Sequence, residues 1–191
     1  MDAQHGRVGR PRSEAARAAV LYAVDDLLVE EGYAAMTLKG IAERAGVSRQ
    51  TIYRWWSTKA EILFEASWTD AAEELAVPPG GTPLAEITSY LDALVRFLVH
   101  SPAGAAYRAL LGEAQHDTDV ARLLASKDVL GDSAKAVVER AIGTDTLPVP
   151  LDQATALLVA PTFFWILSGR DPGLLDVSQL ARRFLTDMSD R

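Results

Sequence analysis

The chain has 191 residues, 49% of them hydrophobic and 24% charged, and these ordinary globular proportions exclude a disordered or collagen-like protein. It has no cysteine, which excludes a disulfide framework, a cysteine-based zinc site and a thiol nucleophile, and its three scattered histidines, His5, His100 and His116, leave little for a histidine metal site. The net charge of −7 is unevenly spread: residues 1–60 carry nine Lys/Arg against seven Asp/Glu, whereas residues 61–191 carry ten against nineteen. A locally basic head on an acidic body fits a chain whose first part meets a polyanion and whose remainder does something else.

The N-terminus is polar and basic, without the apolar core of a signal peptide, so cytoplasmic residence is expected. Residues 1–11 read as a flexible basic arm. Ser13 is the predicted N-cap of a first helix whose apolar stripe is Val20, Val24, Leu27 and Leu28, and Gly32 is its predicted stop. Thr37 caps a short helix through Arg44, and Ser48 caps another running to about Trp55. Thr58 and Glu61 form a capping box that opens a fourth helix, with Phe64, Trp68, Ala72 and Leu75 expected on one face. The Pro/Gly run from Val77 to Gly81 is the clearest break in the chain.

Beyond it, Thr82-Pro83 and Ser101-Pro102 each read as an N-cap followed by proline at the first helical position. Asp117 is expected to open one long helix carrying Val120, Leu124, Val137, Val138 and Ala141, and helices at about 152–169 and 177–188 close the chain. The uncharged run from Gln153 to Gly169 holds Thr155, Pro161, Thr162 and Ser168, so it reads as a helix buried in a protein interface, and no membrane partner is expected. Strand alternation is nowhere sustained. The predicted architecture is all-α with about nine helices.

The segment richest in chemistry is residues 37–56. Two short helices are joined by Ala45-Gly46-Val47, with small Ala42 at the crossing, Gly46 for the tight turn, and Val47 and Ile52 as the apolar wedge. Ala42, Gly46 and Ile52 have the spacing of a DNA-reading helix-turn-helix. The second helix presents Ser48, Arg49, Gln50, Thr51, Tyr53 and Arg54, side chains suited to base edges and phosphates. A helical hairpin with a solvated polar face is the plainer alternative.

The run from Ala45 to Leu63, extended back through Glu31-Gly32-Tyr33 and Thr37 to about Arg12, closely resembles the DNA-binding domain of the TetR family. Gly40 departs from the pattern, since relatives often carry an acidic residue there. Ser101-Pro102-Ala103-Gly104, Glu113-Ala114-Gln115 and Val159–Phe164 resemble one C-terminal class of the same family. The resemblance implies a DNA-binding domain over 12–57 and a helical effector-binding and dimerisation domain over 58–191. It further implies a one-component regulator, usually a repressor, that is homodimeric, binds double-stranded operator DNA and releases it when a small-molecule effector binds. Thr37, Tyr53 and Lys59 match phosphate-contacting positions; Arg49, Gln50 and Thr51 match those nearest the bases; Arg54 suits either. Trp56 matches a position that closes the small core. Arg7-Val8-Gly9-Arg10-Pro11-Arg12 is either an extended minor-groove arm or a tail that only adds charge.

In the body, Trp68, Tyr107, Arg108 and Phe164 are the candidate effector contacts, with His100, His116 and Trp165 behind them, and Arg108 beside Tyr107 would suit an anionic group. A plain core or surface role is equally open for each. Ala156, Ala160, Phe163 and Leu167 form one apolar stripe, and Val177, Leu180, Phe184 and Met188 another. Either the two stripes meet their symmetry mates in a dimer, or they close the monomer's own core. No residue set resembles a catalytic centre, and neither an enzymatic activity, a cofactor nor a metal is expected. The alternative class is a helical small-molecule-binding protein or enzyme with an incidental helix-turn-helix.

Overall fold

The computed structural model describes residues 9–189, with side chains from residue 14 onward. Among the described residues there are ten α-helices, two short 3-10 turns and no strand. The helices are α1 (Gly9–Ala35), α2 (Leu38–Ala45), α3 (Arg49–Tyr53), α4 (Lys59–Glu74), α5 (Pro83–His100), α6 (Pro102–Ala114), α7 (Thr118–Ser126), α8 (Val129–Ala141), α9 (Leu151–Leu167) and α10 (Val177–Ser189).

Capping explains most of the starts. The side-chain oxygens of Thr37, Ser48, Thr58, Thr82 and Ser101 each accept from the backbone N–H three residues on, with Pro83 and Pro102 following their caps. These contacts satisfy N–H groups that a helix start leaves without an internal partner. The Thr58–Glu61 box is shifted at one end: the Glu61 carboxylate accepts from Ser57 N–H at 2.7 Å.

Several boundaries differ from expectation. α1 opens at Gly9, so Ser13 lies inside it rather than capping it, and the backbone from Gly9 to Arg12 is helical rather than extended. Arg7, Val8 and the side chains of Arg10 and Arg12 lie outside the described residues, as does most of the basic arm. Gly32 does interrupt the helix, at φ 76°, ψ 162°. The long helix expected after Asp117 is two, because Asp128 takes the N-cap position, accepts from Gly131 N–H at 2.9 Å and opens α8. That division makes ten helices of the nine expected. α9 runs as one helix with Pro161 inside it.

Two apolar clusters organise the chain. Val20, Val24, Leu27, Met36, Ile41, Ile52, Trp56, Ile62 and Leu63 form the core under α1–α4, joined by Ala106 and Leu110 of α6 and Val120 of α7. The second surrounds α5, whose Tyr90, Leu91, Leu94, Phe97 and Leu98 are fully buried against α8, α9 and α10. The Tyr90 hydroxyl donates to Leu130 C=O at 3.3 Å and bonds Ser133 Oγ at 3.1 Å, which fastens α5 to α8 without leaving a buried polar atom alone. At Gly104 a Cβ would stand 1.7 Å from the Phe97 carbonyl oxygen, so only glycine lets α6 lie this close to α5.

α4 is common to both clusters. Ala60, Ile62 and Leu63 enter the first, Ala71 and Leu75 the second. Its buried face is therefore that set, with Ser67; Ala72, expected to share it, is exposed. The Pro/Gly segment after α4 is held by Glu86, which accepts from Gly80 N–H at 3.1 Å and from Arg140 at 2.7 Å, while Arg140 also donates to Val77 C=O. Hydrogen bonding to Gly80 and Arg140 holds the Glu86 carboxyl below its ordinary range. Among the described residues no helix is long and apolar enough to cross a membrane.

Candidate DNA-binding face and effector cavities

The helix-turn-helix is built by three local devices. Thr37 starts α2; Gly46, at φ 65°, ψ 30°, ends it and lets Val47 N–H donate to Ala42 C=O at 3.0 Å; Ser48 then starts α3. A left-handed residue at Gly46 is what allows the chain to leave α2 and re-enter a helix within three residues. Ile41, Ala42 and Ile52 are buried at the crossing. α3 is two residues shorter than expected, ending at Tyr53, after which Trp55 and Trp56 N–H both donate to Ile52 C=O. Trp56 closes this core at 3% exposure, and its indole N–H donates to Glu65 at 3.0 Å, while Glu65 also meets Arg17 of α1 at 2.6 Å.

The outer face of α3 and its flanks gathers the expected polar set. Thr37, Ser48, Arg49, Gln50, Tyr53 and Arg54 are exposed and Thr51 is half-buried. Ser48 and Thr51 are partly engaged with one another: Ser48 Oγ accepts from Thr51 N–H at 3.1 Å, and the two hydroxyls are 2.9 Å apart. The Arg54 guanidinium stacks over the Trp55 ring at 5.2 Å. Arg49, Gln50 and Tyr53 are thus the side chains most available to a ligand on this face.

Lys59, the expected phosphate contact in the first turn of α4, is engaged within the chain: its ammonium donates to Tyr33 C=O at 2.7 Å and Met36 C=O at 3.0 Å and lies over the Tyr33 ring at 4.2 Å. The cation closes carbonyls left open where α1 gives way to α2, so it clamps α4 to the end of α1. Its partners lie 23 and 26 residues upstream, beyond any local pattern. A second tie that sequence reasoning missed joins α1 to α2: Arg44 donates to Glu30 at 3.0 Å and lies 3.6 Å from Asp26.

Behind this face are the cavities of the body. The largest, about 540 Å³, lies between α6, α8 and α9 and is lined by Tyr107, Leu111, Asp128, Leu130, Val159 and Phe163 among others. A second, about 250 Å³, lies between α4 and α8 beside Trp68 and Leu75. A narrow enclosed gap between α4, α6 and α7 touches Phe64, Trp68 and Tyr107. Trp68 is half-buried, 5.6 Å from the Phe64 ring, with Lys127 Nζ 5.1 Å above its own. Tyr107 separates the large cavity from the gap, and burial, with Asp128 adding to it, pushes its phenol up to about 12.

The other effector candidates do not join them. Phe164 is 63% exposed and sits under the Arg170 guanidinium at 4.8 Å, outside these cavities. Arg108 is half-buried, with its Nη1 buried and unpartnered among the described residues, but it does not line the large cavity. His100 and His116 are exposed, and Trp165 donates to Asp171 C=O. Among the described residues no cluster of His, Asp or Glu could hold a metal ion.

The expected dimer stripes are also redistributed. Phe184 is buried in the monomer's own core, and Phe163 and Leu180 pack against it half-buried. Ala156 and Phe163 line the large cavity. Ala160 and Leu167 do face outward, in company with Leu157, Pro161 and Phe164, which sequence reasoning left off this face. The exposed apolar face of α9 thus keeps Ala160 and Leu167 of the expected stripe and extends it to Leu157, Pro161 and Phe164, because the helix is apolar on nearly all sides.

Two family models match the chain: bacterial regulatory proteins of the tetR family over residues 21–66, and the tetracyclin repressor-like C-terminal domain over residues 77–187. The HTH-type transcriptional regulator YdeS of Bacillus subtilis (strain 168) is 36% identical over 166 residues, 83% of this chain and 82% of its own length. The HTH-type transcriptional regulator AlkX of Mycobacterium tuberculosis is 28% identical over 160 residues, 82% of this chain and 68% of its own. Among solved structures, the TetR family transcription regulator SCO0332 superposes with a TM-score of 0.68 at 26% identity, covering 90% of this chain and 97% of that one. GusR of Salmonella enterica shares the fold, with a TM-score of 0.69 at 18% identity over 97% of this chain and all of the other. With its helix-turn-helix at 37–56 and a helical body behind it, the chain belongs to the TetR family of bacterial transcriptional regulators.

Proposed function

We propose that this protein is a cytoplasmic, homodimeric repressor that holds operator DNA through α3 and leaves it when a small, mostly apolar effector occupies the body. The observation that carries the reading is the path through α4. Its first turn is clamped to the end of α1 by Lys59, and its middle presents Phe64 and Trp68 to the gap whose far wall is Tyr107. Tyr107 is also a wall of the largest cavity. An effector that displaces Tyr107 presses on α4, and α4 moves the ground on which α3 stands. DNA release then follows to the extent that the effector prefers the displaced state, and no further.

Arg49 and Gln50 read bases in this proposal, while Thr37, Tyr53 and Arg54 position the phosphates. The partner for the exposed α9 face, with Leu157, Ala160, Phe164 and Leu167, is a second copy of the chain. A two-fold pair places the two α3 helices in successive major grooves, ~34–36 Å apart. The test is binding of the full-length protein to duplex DNA flanking its own gene across a salt series. A steep, dimer-dependent salt slope and selective protection of a near-palindrome are expected. Equal affinity for random duplex, or a monomer on DNA at micromolar concentration, would refute the repressor reading.

A further inference from the structure

The largest cavity has a chemical bias. Leu111 of α6, Leu130 of α8 and Val159 and Phe163 of α9 give it apolar walls. The Lys135–Asp152 pair at its edge is joined at 2.8 Å, and hydrogen bonding to Asp152, with attraction from Asp152, Asp132 and Asp128, raises the Lys135 ammonium above its ordinary range. Thr155 donates to Asp152 C=O at 2.8 Å and is also committed. Two groups remain. Asp128 Oδ1 accepts from Gly131 N–H, but among the described residues no donor reaches its second oxygen. Among the same residues the Tyr107 hydroxyl has no hydrogen-bond partner either. Asp128 adds to the burial that holds the Tyr107 phenol protonated, so the carboxylate's field reaches into the cavity. The three charges lining it, Asp128, Lys135 and Asp152, sum to minus one.

We infer that this cavity takes an organic amine with an apolar body, its ammonium on the Asp128 carboxylate and the Tyr107 hydroxyl and its chain against Leu111, Leu130, Val159 and Phe163. This rests on the effector-binding reading above and names the effector's class. An anion is disfavoured, because Lys135 is already neutralised and Arg108, the residue that would have suited one, is not on the cavity wall. Asp128 is exposed at the mouth, so its charge selects among ligands of similar shape rather than supplying most of the affinity.

The probes are decylamine, decanol and decanoate, titrated calorimetrically at pH 7 into the wild-type protein and Asp128→Asn. Asparagine keeps an acceptor for the α8 cap and removes the charge. In the wild type decylamine binds about five- to tenfold tighter than decanol, and decanoate weakest. Asp128→Asn brings the affinity for decylamine down to that for decanol. Decanol matching decylamine in the wild type would overturn the inference, and this comparison needs no variant to fold. An undiminished amine advantage in a folded Asp128→Asn would overturn it too. DNA affinity measured with each probe separates the two proposals. Selective amine binding with unchanged DNA affinity upholds the amine site and removes the switch. DNA release by decanol equal to that by decylamine upholds the switch and removes the amine.

Discussion

Replacing Lys59 with methionine keeps the aliphatic stem and deletes the ammonium. Two charge-assisted hydrogen bonds are lost, to Tyr33 C=O at 2.7 Å and Met36 C=O at 3.0 Å, together with a cation–π contact at 4.2 Å. Hydrogen bonds to charged groups contribute ~1.5–3 kcal/mol net and a partly exposed cation–π contact ~0.5–1 kcal/mol. The three share one cation in a half-buried site and water reaches part of it, so the sum is discounted to about 2–3 kcal/mol. For a chain of this size that is a fall in Tm of roughly 4–12 °C. Because the ammonium's two hydrogen bonds tie α4 to the end of α1, Lys59→Met is expected to weaken DNA binding through the tilt of α4 and α3, with the slope of log affinity against log salt unchanged. Urea unfolding and a salt series of DNA titrations read the two quantities separately. A slope reduced by ~1 with stability within ~0.5 kcal/mol of wild type is the behaviour of a lost phosphate contact, and it would refute the clamp.

Asp25 on α1 has its carboxyl pushed up to about 6, first by burial, then by Asp70 and Asp26. A carboxyl raised on folding binds more protons folded than unfolded between its ordinary value of 3.8 and about 6, so it lowers stability as pH rises through that window. Asp25→Asn therefore stabilises at pH 7, by about 1 kcal/mol once solvent screening of a half-exposed group is discounted, and the gain vanishes below pH 4, as urea midpoints across pH will report. Gly104→Ala forces a methyl onto the Phe97 carbonyl and costs at least ~1–3 kcal/mol in urea unfolding; an unchanged midpoint means α5 and α6 are not in this close contact. Arg49→Ala and Gln50→Ala relax preference at particular base pairs by ~1–3 kcal/mol each, which a randomised-site selection reads as a local loss rather than uniform weakening. Phe164→Asp places a charge on the exposed α9 face and shifts sedimentation toward monomer with little change in monomer stability; a dimer of unaltered strength moves the interface elsewhere.

The sites differ in how far apart their parts lie in the chain. Thr37, Gly46 and Ser48 act on groups within a few residues, so spacing alone located the helix-turn-helix. Lys59 meets Tyr33 and Met36, 26 and 23 residues upstream, a clamp that no local pattern marks. Asp128 could have been found from Asp-x-x-Gly between two apolar stretches, a cap signal that the apolar periodicity on either side obscured. Tyr107 is legible as a candidate effector contact, but its place between two cavities depends on how α4, α6, α8 and α9 meet.

What the sequence determined by itself is the all-α architecture, most helix starts and the recognition hairpin, because capping bonds and 3.6-residue periodicity are short-range and show directly in residue order. Which face of α9 is buried is set by the packing of its neighbours. Phe163 and Phe164 are neighbours of the same type, yet one packs against the core and the other is 63% exposed. In a helix apolar on nearly all sides, burial carries no periodic mark, and the choice falls to the helices packed against it.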